Sequence, residues 1–235
     1  MGHRLAEGPS PIFPLRPYKW QGRQVKGMGT RSKRSERCHQ CRLHTRLCVC
    51  GDTPRHDLAT RLILVMHHRE WTKPTATGPL ALAVLANSEL RIQGDRERQL
   101  DFSDLDTPER RTLLLYPGEE APVLSRAFLA ADPRPVNLVV ADGTWRQASR
   151  MGRRLPGLEH AVMVRLPEGA KTCWGVRREF HPEGLATFEA ISRALGIIES
   201  PEVQESMEGL FSLMVARTLQ ARGWKGQLPG DISSV

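Results

Sequence analysis

Apolar positions in this chain alternate between short continuous runs and longer segments in which they recur at helical spacing. The clearest run, residues 61–67 (Arg-Leu-Ile-Leu-Val-Met-His), predicts a strand buried on both faces. Further strands are predicted over residues 112–116, 135–141 and 161–166. Helices are predicted over residues 80–85 (with Thr77 as the N-cap), 123–129, 144–154, 187–195 and 202–222. This order predicts an α/β fold with a mostly parallel sheet and helices on both faces.

Polar residues, glycines or prolines follow each predicted strand directly. The four segments are His67-His68, Pro117-Gly118, Asp142-Gly143-Thr144 and Pro167-Glu168-Gly169. Ligands of open parallel sheets bind beyond the carboxyl ends of the strands. The four strand ends therefore predict one composite pocket at a single edge of the sheet.

Asp142 is the most informative of these residues, because it places a carboxylate directly after an apolar strand. Gly143 behind it permits close approach of a ligand to the backbone. A carboxylate in this place is suited to act as a general base or to hold a hydroxyl or amine of a ligand. It is equally a favoured N-cap for the helix predicted from Thr144. The local pattern leaves both interpretations open.

Four of the five cysteines fall close together with the spacing C-x2-C-x6-C-x-C. They are Cys38, Cys41, Cys48 and Cys50. Four thiolates suit the tetrahedral geometry and soft-ligand preference of structural Zn²⁺. The spacing of one residue between Cys48 and Cys50 is shorter than the usual two to four residues between zinc-binding cysteines. Redox-active or unligated cysteines are therefore kept as alternatives. His39 and His44 are possible substitute ligands, and Cys173 is predicted to be a small buried residue.

The composition is that of a globular protein, with 40% hydrophobic and 26% charged residues among 235. These values exclude a fibrous or wholly disordered chain. No apolar stretch approaches the roughly 18 residues of a membrane span, and the N-terminus lacks the apolar core of a secretory signal peptide. A cytoplasmic protein with no membrane partner is therefore expected.

The charge is unevenly placed along the chain. Of the formal net charge of +8, residues 1–37 carry +7 and lack hydrophobic periodicity, whereas the other 198 residues carry +1. Such a basic arm predicts a polyanionic partner, most simply a nucleic acid. A solvated tail that keeps the protein soluble is the alternative.

Residues 142–151, Asp-Gly-Thr-Trp-Arg-Gln-Ala-Ser-Arg-Met, resemble the signature of the DTW-domain family, which is named for its Asp-x-Thr-Trp motif. Other segments resemble further blocks of this family in the same order. They are the four-cysteine segment, His67-His68-x-Glu70, Thr77-Gly78-x-Leu80, Leu115-Tyr116-Pro117 and Leu185-x-Thr187-x-Glu189-Ala190. The resemblance covers residues 38–222 and leaves only the basic arm outside.

The resemblance implies a tRNA-uridine aminocarboxypropyltransferase, which moves the 3-amino-3-carboxypropyl group of S-adenosylmethionine to N3 of a tRNA uridine and releases methylthioadenosine. It also implies a SPOUT-like fold, similar to the knotted RNA methyltransferases, with a C-terminal knot. The expected organisation is a basic flexible arm (1–37), a zinc knuckle (38–52) and a catalytic domain (53–235). The alternatives are a SPOUT-class RNA methyltransferase and a non-catalytic zinc-knuckle RNA-binding module.

Asp142 is the candidate base for the uridine N3 proton. The cofactor-binding residues that the resemblance implies are Tyr116, Pro117, Gly118, Asp142, Gly143, Thr144, Trp145, Leu166, Arg177, Ala186, Thr187, Glu189 and Ala190. The candidate contacts to tRNA phosphates are Lys33, Arg34, Arg69, Lys73, Arg146 and Arg150. For these cations, a solvated charge is the alternative.

Trp145, Thr187 and Arg177 have competing interpretations. Trp145 either stacks on adenine or on a nucleobase of the RNA, or packs in the core. Thr187 is either a cofactor contact or a helix N-cap. Glu189 is a candidate partner for the amino group of the cofactor. The family commonly shows Ser-x-Tyr-x-x-Arg before the last block, whereas here Trp174 stands in the tyrosine place and Arg177 in the arginine place. This departure leaves the role of Arg177 open.

Overall fold

The computed structural model describes most of the chain beyond the basic arm. The described residues are 37–38, 40–41, 43–71, 73, 75–94, 100–143, 147–148, 155, 157–172, 174 and 184–223. Several predicted site residues lie outside them, namely Lys33, Arg34, Thr144, Trp145, Arg146, Arg150 and Arg177. His39, Cys173 and most of the helix predicted over residues 144–154 also lie outside, although Gln147 and Ala148 are helical.

Strands and helices are interspersed along the described chain, in an order close to the one that the apolar pattern predicts. In chain order they are β1 Arg61–His67, α1 His68–Trp71, α2 Gly78–Val84, β2 Ser88–Gln93, β3 Arg111–Leu115, α3 Arg126–Ala130, β4 Val136–Asp142, β5 Val162–Val164, α4 Thr187–Ile198 and α5 Pro201–Ala221. Short 3-10 turns occupy Thr45–Leu47, Cys50–Asp52 and Ser103–Leu105. Among these residues, no helix combines the length and apolar composition that crossing a membrane requires.

The strands form one five-stranded sheet in the order β2-β1-β4-β3-β5, and every pair is parallel. The α/β fold with a parallel sheet is therefore confirmed. The chain continues from β1 to the edge strand β2 on one side, whereas from β4 it continues to the opposite edge strand, β5. The carboxyl ends of β1 and β4 thus flank a switch point of the kind that binds ligands in such sheets. Met66 of β1 lies beside Asp142 of β4 there.

β2 was not among the strands predicted from the sequence. It pairs only with β1, at the edge of the sheet, and all six of its residues are half-buried. Leu90 and Ile92 alternate with Glu89 and Arg91, so the strand lacks the continuous apolar run of a central strand. That alternation of period two was the available signal.

The two faces of the sheet are covered differently within the described chain. On one face, Leu62, Leu64 and Leu138 pack in a large core with side chains of α2, α4 and α5. On the other face, Ile63 and Val139 pack in a smaller core whose cover comes from residues 100–105 and from Leu155 and Leu158. Leu62 to Met66 of β1 are at most 1% exposed, which agrees with the prediction of a strand buried on both faces. The implied SPOUT knot stays a prediction.

Candidate active site and metal centre

The four cysteines of the C-x2-C-x6-C-x-C segment converge on one point. Their sulfur atoms all lie within 4.8 Å of one another. The Sγ atoms of Cys38 and Cys50 are 3.5 Å apart, and those of Cys41 and Cys48 are 3.6 Å apart. Four sulfurs around Zn²⁺, with Zn–S bonds of about 2.3 Å, would lie about 3.8 Å apart along each edge of a tetrahedron. The spacing of the sulfurs therefore fits a tetrahedral metal ion.

The electrostatics of these thiols differ from one cysteine to the next. Burial alone would raise the pKa of Cys38, but the backbone N–H groups of Cys41 and Gln40 donate to its sulfur and lower that pKa to about 6. Burial raises the pKa of Cys41 and of Cys50 above the usual thiol value. A bound cation would favour the thiolate at all four positions, because metal binding releases the thiol protons.

The cysteine segment is docked on α5 by both polar and apolar contacts. Arg217 of α5 donates to the backbone carbonyl of Cys48 and, at 3.0 Å, to the carboxylate of Asp52. Cys41, Leu43 and Val49 are buried in the large core together with side chains of α5. Loss of the order in this segment would therefore also disturb the core beneath the sheet.

Asp142 is the last residue of β4, and it is only 3% exposed. Its Oδ1 atom accepts a hydrogen bond of 2.8 Å from the hydroxyl of Thr187. Thr187 is the first residue of α4, and Ala186 occupies the N-cap position. The N-cap interpretation of Thr187 is therefore wrong. The structure instead joins two predicted site residues that lie 45 positions apart in the sequence.

The start of α2 also abuts the Asp142 carboxylate. A Cβ atom placed on Gly78 would lie 2.5 Å from Oδ2 of Asp142, so a side chain at this position has no room. Thr77 precedes the helix, but its side chain makes no cap hydrogen bond to α2. Its hydroxyl oxygen accepts instead from the backbone N–H of Phe188, at 3.3 Å. Thr77 and Gly78 were not predicted as site residues, although the resemblance included their segment.

Glu189 ties the start of α4 to the loop before it. This carboxylate is 4% exposed and accepts from the Ala186 N–H at 3.0 Å and from the hydroxyl of Thr172. The Thr172 hydroxyl oxygen in turn accepts from the backbone N–H of Trp174, at 3.0 Å. Trp174, which replaces the family tyrosine, is 3% exposed and contacts the ring of Phe211. The aromatic residue at this position is therefore part of the core.

The ends of β3 and β5 carry the next group of predicted cofactor contacts. Tyr116, Pro117 and Gly118 follow β3, and Leu166 follows β5 two residues later than its end. The Tyr116 N–H donates to the carbonyl of Val164, which fixes the two strand ends side by side. Tyr116 and Leu166 are both half-buried. These residues lie at the same edge of the sheet as Asp142, as the strand-end pattern predicts.

Two stacked histidines stand at the end of β1, and two cationic side chains follow them. The rings of His67 and His68 stack with centroids 4.5 Å apart. Burial, and then the charges of His68 and Arg69, lower the pKa of His67, so its ring is neutral at physiological pH. Arg69 is exposed, whereas Lys73 is ion-paired with Glu70, whose side chain is 1% exposed. Of the two predicted phosphate contacts here, Arg69 is thus the more accessible.

A sequence model of the DTW domain matches residues 35–219. The chain belongs to the DTW-domain family. It is 30% identical over 182 residues to tRNA-uridine aminocarboxypropyltransferase 2 of Macaca fascicularis. The matched region covers 75% of this chain and 61% of that relative. Identity is 26% over 183 residues with the proteins of the same name from Mus musculus and Drosophila melanogaster. These matches cover 75% and 74% of this chain and 61% and 71% of the relatives. No solved structure matches.

The DTW match includes both centres described above. The four cysteines, Asp142 and Thr187 lie inside the matched residues 35–219, and most of the basic arm lies before them. The chain spans 61% of the length of the macaque and mouse relatives. The resemblance inferred from the Asp-Gly-Thr-Trp segment is therefore confirmed at the level of the DTW family.

Proposed function

We propose that this DTW protein is an S-adenosylmethionine-dependent tRNA-uridine aminocarboxypropyltransferase. It moves the 3-amino-3-carboxypropyl group to N3 of a tRNA uridine, with release of methylthioadenosine. The contact between Asp142 and Thr187 carries the proposal, because it joins the Asp-Gly-Thr-Trp and Thr-x-Glu-Ala segments at the ligand-binding edge of the sheet. The names of the relatives support the choice of tRNA and of the transferred group.

Asp142 is the general base in this proposal. The N3–H of uridine is a weak acid, and its proton must leave as N3 forms its new bond to carbon. The Asp142 carboxylate takes this proton and later returns it to solvent. Its position at the end of β4 suits the task, because the buried carboxylate is held by Thr187 and lies beside the strand switch point.

The residues around Asp142 fit a ligand that has both polar and apolar parts. Bound S-adenosylmethionine would supply a sulfonium with electrophilic neighbouring carbons, and the orientation of the ligand decides which carbon reacts. Residues after β3, β4 and β5 and at the start of α4 are the proposed contacts. They are Tyr116, Pro117, Gly118, Gly143, Leu166, Ala186, Glu189 and Ala190, together with Thr144, Trp145 and Arg177. Thr187 is assigned to Asp142 instead, because its hydroxyl donates to that carboxylate. Glu189 would share its carboxylate between the Ala186 N–H and the amino group of the ligand.

The proposal is tested by incubating the full chain with unmodified tRNA and S-adenosylmethionine, followed by mass spectrometry of the nucleosides and of the small product. We expect aminocarboxypropyluridine and methylthioadenosine in equal amounts. S-Adenosylhomocysteine with a methylated nucleoside would support the RNA methyltransferase instead. tRNA binding without either product would support the non-catalytic RNA-binding module.

We propose further that the four cysteines hold a structural Zn²⁺. About one zinc per chain is expected to copurify, and Cys38→Ser should reduce this content. Because the cysteine segment packs on α5, Cys38→Ser should also lower the melting temperature by roughly 10 °C, as a loss of several kcal/mol does in a domain of this size. Elemental analysis and calorimetry measure the two effects. Cys173→Ser is the matched control and should keep the zinc. A fully folded, metal-free wild-type preparation would contradict the proposal.

The basic arm is proposed to strengthen tRNA binding by neutralising phosphates. Residues 1–34 contain eight Lys or Arg residues and one acidic residue. Replacing them with an equally long Gly/Ser segment should weaken tRNA binding and flatten its salt dependence, by roughly 0.7–0.9 in logarithmic slope for each phosphate that is no longer neutralised. Turnover on saturating tRNA should persist. Filter binding at several salt concentrations measures the slope, and an unchanged slope would show that the arm does not touch the tRNA.

A further inference from the structure

We infer that Thr187 is a positioning residue for the transfer: its hydroxyl orients the Asp142 carboxylate toward the uridine imide. This inference rests on the proposed function, because it assigns Asp142 the role of base. The hydroxyl donates to Oδ1 of Asp142 over 2.8 Å. The backbone of Gly78 packs against Oδ2, the other oxygen of the same carboxylate. The plane of the carboxylate is thus fixed from two sides.

The hydroxyl of Thr187 is available for this task because the start of α4 is capped by other residues. The first N–H groups of a helix lack partners within the helix and need acceptors from elsewhere. Here the carboxylate of Glu189 accepts from the Ala186 N–H, and the hydroxyl oxygen of Thr77 accepts from the Phe188 N–H. A threonine at the first helical position is otherwise not required for capping.

The backbone of Thr187 is held firmly at this position. Phe188 is fully buried, and its ring stacks on that of Phe211 with centroids 5.3 Å apart. The Thr172 hydroxyl donates to Glu189 in the same turn, so the loop before α4 is fixed as well. A hydroxyl carried on such a rigid turn holds its acceptor in one orientation, and small errors in orientation at a reacting centre cost large factors in rate.

The starts of two helices, α2 and α4, meet at Asp142. Thr77 precedes α2 and binds the first turn of α4, while Gly78 begins α2 and contacts Asp142. Thr187 begins α4 and binds the same carboxylate. The orientation of Asp142 therefore depends on how the starts of α2 and α4 are joined, and Thr187 is the side chain that makes the polar contact.

The test compares Thr187→Val, which keeps the branched shape and removes the hydroxyl, with Thr187→Ser, which keeps the hydroxyl. We expect Thr187→Val to lower kcat about 10- to 100-fold and to leave KM for S-adenosylmethionine and for tRNA within about twofold. Thr187→Ser should restore kcat to within about threefold of wild type. Thr218→Val is the matched control, since it removes the 2.7 Å hydrogen bond from the Thr218 hydroxyl to the Met214 carbonyl in α5. It should leave kcat unchanged.

The outcomes separate this inference from the proposed function. A Thr187→Val protein with the kcat of an active wild type would overturn the positioning role alone. An increase in KM for S-adenosylmethionine at unchanged kcat would also overturn it, and would make Thr187 a cofactor contact. A low kcat in both Thr187→Val and Thr187→Ser would show that the hydroxyl alone is not sufficient, and would overturn a role that is assigned to the hydroxyl. A wild-type protein that transfers nothing to tRNA would overturn the proposed function itself.

Discussion

Asp142→Asn is expected to lower kcat by about 10²- to 10⁴-fold, the range that a general base contributes. Asparagine has nearly the shape of aspartate, and its amide oxygen can still accept from the hydroxyl of Thr187. The amide cannot take up the N3 proton of uridine, however. Single-turnover assays with saturating tRNA and S-adenosylmethionine measure the chemical step, and they should show a slower reaction while tRNA binding is retained.

Asp57→Asn is the matched control for this substitution, because Asp57 is an exposed aspartate in the segment before β1. It should leave both kcat and the melting temperature at wild-type values. If Asp142→Asn modified tRNA at the normal rate, Asp142 would not be the base. If Asp142→Asn abolished tRNA binding as well, the carboxylate would belong to the RNA-binding surface and not to the chemistry.

Gly78→Ala adds a single methyl group and no charge or polar group. We expect it to lower kcat by about 10²-fold, because it displaces the reacting carboxylate. A Cβ atom at this position would lie 2.5 Å from Oδ2 of Asp142, so either the carboxylate or the start of α2 must move. Alanine otherwise favours helices over glycine by roughly 0.5–1 kcal/mol. Steady-state kinetics and thermal unfolding of the same preparation distinguish a displaced carboxylate from a general loss of structure.

Gly209→Ala provides the control for backbone effects. Gly209 is exposed within α5. Apart from its chain neighbours and the nearby backbone of its own helix, no described heavy atom lies within 4 Å of the place where its Cβ would be. This substitution should stabilise the protein by about 0.5–1 kcal/mol and leave kcat unchanged. A Gly78→Ala protein with wild-type kcat would contradict the tight packing around Asp142 on which the account depends.

The central strands were predictable because strands that are buried on both faces appear in the sequence as continuous apolar runs. β1 and β4 are covered on both faces, so every position between their ends except Asn137 is apolar, and their bounds differ from the predicted ones by at most one residue. The edge strand β2 was missed because it carries the charged residues Glu89 and Arg91, which form a half-buried ion pair at the edge of the sheet. A pattern of apolar residues reports burial, and edge strands are only half-buried.

The composite site was predictable as a place but not in its contacts. Strand ends of a parallel sheet meet at one edge, so Asp142 and the residues after β3 and β5 could be placed together from the sequence. The hydrogen bond from Phe188 to Thr77 spans 111 positions, and no local pattern indicates it. Thr77 does occupy the predicted N-cap position of α2, but its hydroxyl accepts from the Phe188 N–H of α4 and makes no cap hydrogen bond to α2.

The cysteine cluster was likewise predictable in its position but not in its contacts with the rest of the fold. The spacing of the four cysteines predicted that their sulfurs converge, and the structure brings them within 4.8 Å of one another. The docking of this segment by Arg217 depends on a residue 169 positions from Cys48. Contacts of that kind follow from the packing of the complete fold and are not visible in the spacing.

The most direct test of the central claim follows the label from two forms of S-adenosylmethionine into tRNA. In one form the carboxyl carbon of the methionine part is radioactive, and in the other the methyl carbon is radioactive. We expect wild-type protein to transfer the carboxyl label to tRNA and to leave the methyl label in methylthioadenosine. Asp142→Asn should transfer neither label at a comparable rate. Methyl label in the tRNA, with no carboxyl label, would contradict the proposed transfer.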